Sequence, residues 1–187
     1  MAPGQWRVFF GGKIMIFKWM GCVAIVSATT ALGFGKSREI KRRAEELETF
    51  INAASLLCNE LRFTRTTLGK AFEKLATHTC GEIKRFFDTV SVYVDDPDGI
   101  TVAKAWERAL EEHKSGLALN REDMKTLQEF GMVLGSGDVE GQISGISSLQ
   151  ERLAIHLADA EEKRDKNQRL FTSLGIYTGL LICILLI

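Results

Sequence analysis

The residues in this chain whose types could do chemistry are four cysteines at 22, 58, 80 and 183, three histidines at 78, 113 and 156, and the glycine segment Gly135-x-Gly137-x-x-x-Gly141. His78 and Cys80, with Cys58 at a distance, come nearest to a metal-ligand set. Zinc sites carry paired short spacings, and one x-separated pair standing alone does not make one. The glycine segment resembles a phosphate loop only superficially: it lacks the dinucleotide spacing, no strand precedes it and no Lys-Ser/Thr pair follows. Asp138 and Glu140 would also repel an anion there. A helix-to-helix turn, with glycine closing one helix and Asp138 capping the next, accounts for the pattern. Nucleophilic catalysis needs a Ser or Cys joined in space to a base and an orienting group, and no residue set is singled out for it. His113 and His156 read as solvated or capping residues. The acids fall on helix surfaces, as at Glu45, Glu46 and Glu48 or Glu161 and Glu162, where ion pairs with nearby bases are their ordinary use. No enzyme activity, cofactor or metal is expected.

The 24 basic and 24 acidic residues cancel. Arg7, Lys13 and Lys18 are the charges of the first 35 residues, so residues 36–169 hold all 24 acids and 24 − 3 = 21 bases. That slightly acidic balance excludes a general nucleic-acid binder, which needs a clearly basic face. The scattered cysteines are not a disulfide framework.

Charge-free stretches lie at both ends. The run from Leu170 to Ile187, LFTSLGIYTGLLICILLI, is long enough as a helix, at about 1.5 Å per residue, to cross most of a ~30 Å hydrocarbon layer. A second stretch, Trp19 to Gly35, becomes long enough when Ile14 to Phe17 join it and Lys18 snorkels to the interface. Expected boundaries are therefore an N-terminal extension at 1–13, a transmembrane helix at 14–35, a cytoplasmic bundle at 36–169 and a C-terminal transmembrane helix at 170–187. The bases Lys36, Arg38, Lys41, Arg42 and Arg43 on one flank, and Lys163, Arg164, Lys166 and Arg169 on the other, place the middle section on the cytoplasmic side by the positive-inside rule. The competing reading takes the first stretch as a signal peptide cleaved near Ser27, Ala28 or Ala31, which would leave a tail-anchored extracytoplasmic binding module. Gly175 and Gly179 form a G-x-x-x-G face, and Ala24 and Ala28 lie on a small-residue stripe of the first span, so the two spans are expected to pack through these faces.

Between the spans the spacing predicts six helices and no convincing strand, an all-α antiparallel bundle. The first runs from Ser37 to about Thr64 with a seam of Ile40, Ala44, Leu47, Ile51, Ala54, Cys58 and Leu61. The second, capped by Thr66 or Thr67, carries Leu68, Ala71, Phe72 and Leu75 and ends at His78 to Gly81. The third carries Ile83, Phe86, Phe87, Val90 and Val94, although Val90 to Val94 is β-branched enough to suit a short strand. After the turn Asp95 to Gly99, Thr101 caps a helix bearing Val102, Ala105, Trp106, Ala109 and Leu110. Asn120 and Asp123 make a variant capping box for a helix facing inward with Met124, Leu127, Phe130 and Leu134. A last helix presents Val139, Ile143, Ile146, Leu149, Leu153, Leu157 and Ala160.

Four stretches together resemble the stage III sporulation protein AB family of endospore-forming bacteria: GCVAIVSATTALGFGKSREIKRRAEEL near the start, AWERALEE at 105–112, LNREDMKTLQEFGMVLGSGDVEGQ at 119–142, and KNQRLFTSLGIYTGLLICILLI from 166. The similarity runs from about Met15 to the end. The first fourteen residues depart from the family's usual start, which makes Met15 and Met20 candidate initiators. The resemblance implies a mother-cell membrane protein of the stage III channel complex between mother cell and forespore, required for late forespore gene expression. It also implies a central domain similar to the F-like cytoplasmic domain of type II secretion and type IV pilus platforms. Such platforms work beside a cytoplasmic ATPase, so the implied role is a platform or adaptor docking that ATPase. The implied partners are the lipid bilayer, the other stage III proteins, the ATPase, and further copies of the chain. Trp106, Gly131, Gly135, Asp138 and Gln142 match the family's motifs and are the candidate partner-contact residues.

Overall fold

The computed structural model describes residues 38–64, 67–96, 100–134 and 139–186, with side chains at 38–63, 67–96, 100–134, 139–167 and Leu170. The chain divides into two units, Glu39–Leu170 and the remainder, Met1–Arg38 with Phe171–Ile187. The first is the helical bundle. Its helices are α1 (38–59, continuing as a π-helical turn at Glu60–Thr64), α2 (Leu68–His78), α3 (Gly81–Val94), α4 (Val102–His113), α5 (Arg121–Val133) and α6 (Val139–Leu186). Among the described residues there is no strand.

Local signals set most of the boundaries. Thr101 accepts a hydrogen bond from the Lys104 N–H at the start of α4. At the start of α5, Asn120 Oδ1 accepts from the Asp123 N–H and Asp123 Oδ2 accepts from the Asn120 N–H, each at 2.9 Å. Two N–H groups that the helix cannot satisfy internally are thus paired reciprocally. Gly81 opens α3 at φ +63°, a left-handed conformation natural to glycine, and this allows α3 to follow α2 after only Thr79 and Cys80. Val90 to Val94 is helical and not a strand: Val90 is buried in the core and Ser91 Oγ donates to Gly69 O of α2 at 3.2 Å. Packing on α2 overrides the β-branched preference.

Polar cross-links reveal the helix directions. Arg43 of α1 meets Asp159 of α6, whereas Ser55 meets Gln150, so position rises along one helix as it falls along the other. Asp123 and Glu129 of α5 meet His156 and Arg152 of α6 in the same inverse order. Glu82 of α3 meets His113 of α4, and Tyr93 meets Glu112 at 2.7 Å. The pairs α1–α6 and α5–α6 are thus antiparallel.

The core is aromatic at its centre. Phe50 sits 5.9 Å from both Phe86 and Phe87, and Trp106 packs edge-on against Phe86 at 4.8 Å and Phe130 at 5.3 Å. The seam expected for α1 is corrected here. Phe50 and Leu57, which it omitted, are fully buried, and Ile40, Ile51 and Cys58 only partly so. A void of about 10 Å³ remains among Phe50, Leu57, Leu75, Trp106 and Leu149, at the lower limit of what holds one water molecule.

Among the residues described with their side chains, no helix is long and apolar enough to cross a membrane. The span expected at 14–35, with Ala24 and Ala28, lies outside the described residues; along 170–186 the backbone continues as α6, and the side chains beyond Leu170, with the surroundings of Gly175 and Gly179, lie outside them.

Candidate functional site

Of the five motif residues, Trp106 and Gly131 are brought together. The Trp106 side chain is 2% exposed, and its indole Nε1 donates to Leu127 O at 2.8 Å. Gly131 lies one turn further along α5, and a Cβ there would overlap Trp106 Cδ1. The pyrrole edge of the α4 indole therefore sits against the bare backbone of α5. AWERALEE supplies the ring and LQEFG the surface that receives it. Gln142 is elsewhere, half-buried in the first turns of α6. Gly135 and Asp138 lie outside the described residues.

The structure also assembles a polar cluster that sequence reasoning did not find. Arg43 Nε and Nη2 donate to Asp123 Oδ2 and Oδ1 at 2.7 and 3.0 Å, a two-pronged pair, and Nη1 donates to Asp159 Oδ2 at 3.1 Å. Asp123 is wholly buried. Besides Arg43 it binds the Asn120 N–H and His156 Nδ1, the latter at 2.8 Å. A carboxylate accepts only, so His156 carries its proton on Nδ1. The Arg43 guanidinium is held above its ordinary pKa, first by the hydrogen bond to Asp123 and against the cost of its own burial. Asp159 is held below its ordinary value by Lys163 and then Arg43.

A second chain runs Thr89 Oγ1, His113 Nε2 at 3.0 Å, His113 Nδ1, Glu82 Oε1 at 2.7 Å. Glu82 fixes the proton on Nδ1, leaving Nε2 to accept from the Thr89 hydroxyl in the neutral ring. The order hydroxyl, imidazole, carboxylate is that of a catalytic triad. Thr89, however, lies inside α3, where the backbone N–H groups are committed to the helix ladder, so no oxyanion donors stand beside it. The chain ties α3 to α4, and it holds the Glu82 carboxyl below its ordinary pKa through the His113 hydrogen bond. The expectation of solvated or capping histidines is thus corrected: His113 and His156 are each largely buried and aimed at a carboxylate from another helix. No local signal marks them, because their partners lie 31 and 33 residues away.

The described surface also carries a broad groove of about 540 Å³ along α4, lined by Lys104, Glu107, Arg108, Glu111, Glu112 and Gln128. Its charges are of both signs, and convergent groups of a small-molecule pocket are not among them.

Fold and site together define an all-helical bundle whose distinctive residues serve helix-to-helix contact. The chain belongs to the stage III sporulation protein AB family, whose profile matches residues 18–187. It is 31% identical over 172 residues to stage III sporulation protein AB of Bacillus subtilis (strain 168), covering 91% of this chain and 99% of that protein. A solved structure titled stage III sporulation protein AB (SpoIIIAB) superposes with a TM-score of 0.63 at 24% identity, over 67% of this chain and 98% of the other. At that identity the superposition speaks for the fold.

Proposed function

We propose that this protein is a membrane platform or adaptor of the stage III channel complex between mother cell and forespore, its bundle facing the cytoplasm and docking a cytoplasmic ATPase. The observation that carries this reading is the Arg43–Asp159 contact at 3.1 Å. It brings the beginning of α1 and the late part of the α6 bundle segment to one end of the bundle, and each of these leads toward a stretch with the length and hydropathy of a span. A domain so arranged is held to a membrane at one end and free at the other. Gln142 lies on the other end, separated from Asp159 by about 25 Å at the helical rise. Gln142 is then the described motif residue at the outward, partner-facing end, while Trp106 and Gly131 act from within the bundle and Gly135 and Asp138 are candidate contacts by family likeness alone. The ATPase assignment rests on the likeness to secretion platforms, a fold-level analogy.

Two outcomes test this reading. Affinity purification of the full chain from sporulating cells should bring down the other stage III proteins and the ATPase, and Gln142→Ala should weaken the ATPase band. Recovery of none of them would overturn the assignment. Orientation is read at Cys80, which is exposed. A membrane-impermeant maleimide should modify it only after the cells are permeabilised. Modification in intact cells would place the bundle outside.

A further inference from the structure

We infer that the first turns of α1 act as a lever on the connection between α4 and α5. Arg42, Arg43 and Glu46 all reach this one stretch. Arg42 Nη2 donates to Gly116 O at 2.7 Å, and the same guanidinium pairs with Glu46 at 3.0 Å. Glu46 Oε2 accepts from the Ala118 N–H at 2.6 Å. Arg43 grips Asp123, which closes the capping box on the Asn120 N–H. Backbone groups at 116, 118 and 120 are therefore tied, directly or through one carboxylate, to little more than one turn of α1. Leu117, between them, is buried. From the other side Glu82 lies against Gly116, where a Cβ would overlap its carboxylate, and Glu82 also holds His113 at the end of α4.

These ties make the connection's conformation depend on the axial and rotational setting of α1. A helix moves as a rigid rod over one turn, so a shift of α1 displaces Arg42, Arg43 and Glu46 together. The third nitrogen of Arg43, on Asp159, carries the same shift to α6. Movement at the start of α1 is thus relayed to the α4–α5 connection on the bundle surface, and a ligand or partner that fixed this connection would fix α1 in return, since coupling between two sites is reciprocal.

Hydrogen exchange followed by mass spectrometry on the full chain in detergent tests the coupling in both directions. Arg42→Met with Glu46→Met removes the two backbone ties but leaves Arg43, Asp123 and the core in place. Amides of 114–122 should then exchange on the order of tenfold faster, with α2 and α3 unchanged. In the reverse direction, Gly116→Ala pushes on Glu82 and the connection, and amides of 40–47 in α1 should exchange faster, again with α2 unchanged. Wild-type exchange at 114–122 in the first variant, or at 40–47 in the second, overturns the lever. So does uniform acceleration through every helix, which would mark these residues as contributors to global stability only.

Discussion

Replacing Asp123 with alanine is expected to destabilise the bundle by about 3–5 kcal/mol, the usual cost of removing one partner of a buried ion pair. The Arg43 guanidinium would stay in place with Asp159 as a single, half-exposed partner, and the Asn120 N–H and His156 Nδ1 would lose their acceptor. Loss of the cap contributes on the order of 1 kcal/mol within that total. Chemical denaturation followed by far-UV circular dichroism measures the effect. The cause is separable, because Arg43→Met combined with Asp123→Leu removes both charges and fills similar volume. That double variant should recover most of the stability, as exchange of buried ion pairs for apolar residues commonly does. A double variant as unstable as Asp123→Ala would show that the cap and His156, and not the stranded charge, carry the loss.

Trp106→Ala is the second large effect, about 3–5 kcal/mol for an aromatic side chain removed from a packed core. Its ring touches Phe72, Phe86, Phe87 and Phe130. The informative measurement pairs it with Gly131. In the wild-type chain Gly131→Ala should destabilise by about 1–3 kcal/mol, because the new methyl overlaps the indole and neither helix can retreat without opening the core. Once the indole is gone, the obstruction is gone as well. Gly131→Ala in the Trp106→Ala background should then stabilise by up to about 1 kcal/mol, the intrinsic helix preference of alanine over glycine. A reversal of sign between the two backgrounds is the signature of direct contact. The same sign in both would mean that Gly131 serves some other need.

What could be read from the sequence was local or periodic. The box at Asn120 and Asp123 and the cap at Thr101 involve residues three apart, and both formed as the spacing indicated. The faces of α2 and α3 were legible because each helix buries one narrow stripe. α1 was harder. It touches α3 through Phe50, α5 through Arg43, α6 through Ser55 and α2 through Glu60. A helix surrounded in this way buries a wide arc, and a two-position seam drawn through Ile51 and Cys58 runs along one edge of it. In the sequence Arg43 is one base of a flanking cluster, and nothing near it in the chain marks it as buried. Asp123 was legible as a cap residue but not as the meeting point of three helices.

The distances along the chain that hid these contacts also govern when they form. Arg43 waits for Asp123 and Asp159, 80 and 116 residues later, and Ser55 waits for Gln150, 95 residues later. Contacts among α2, α3 and α4 join near neighbours and close early, since short loops cost little entropy. During synthesis α1 is therefore the first bundle helix to emerge and the last to complete its contacts. At common translation rates Arg43 and Ser55 spend on the order of 10 s without the partners that α5 and α6 bring. The first helix of the bundle is the one completed by the last.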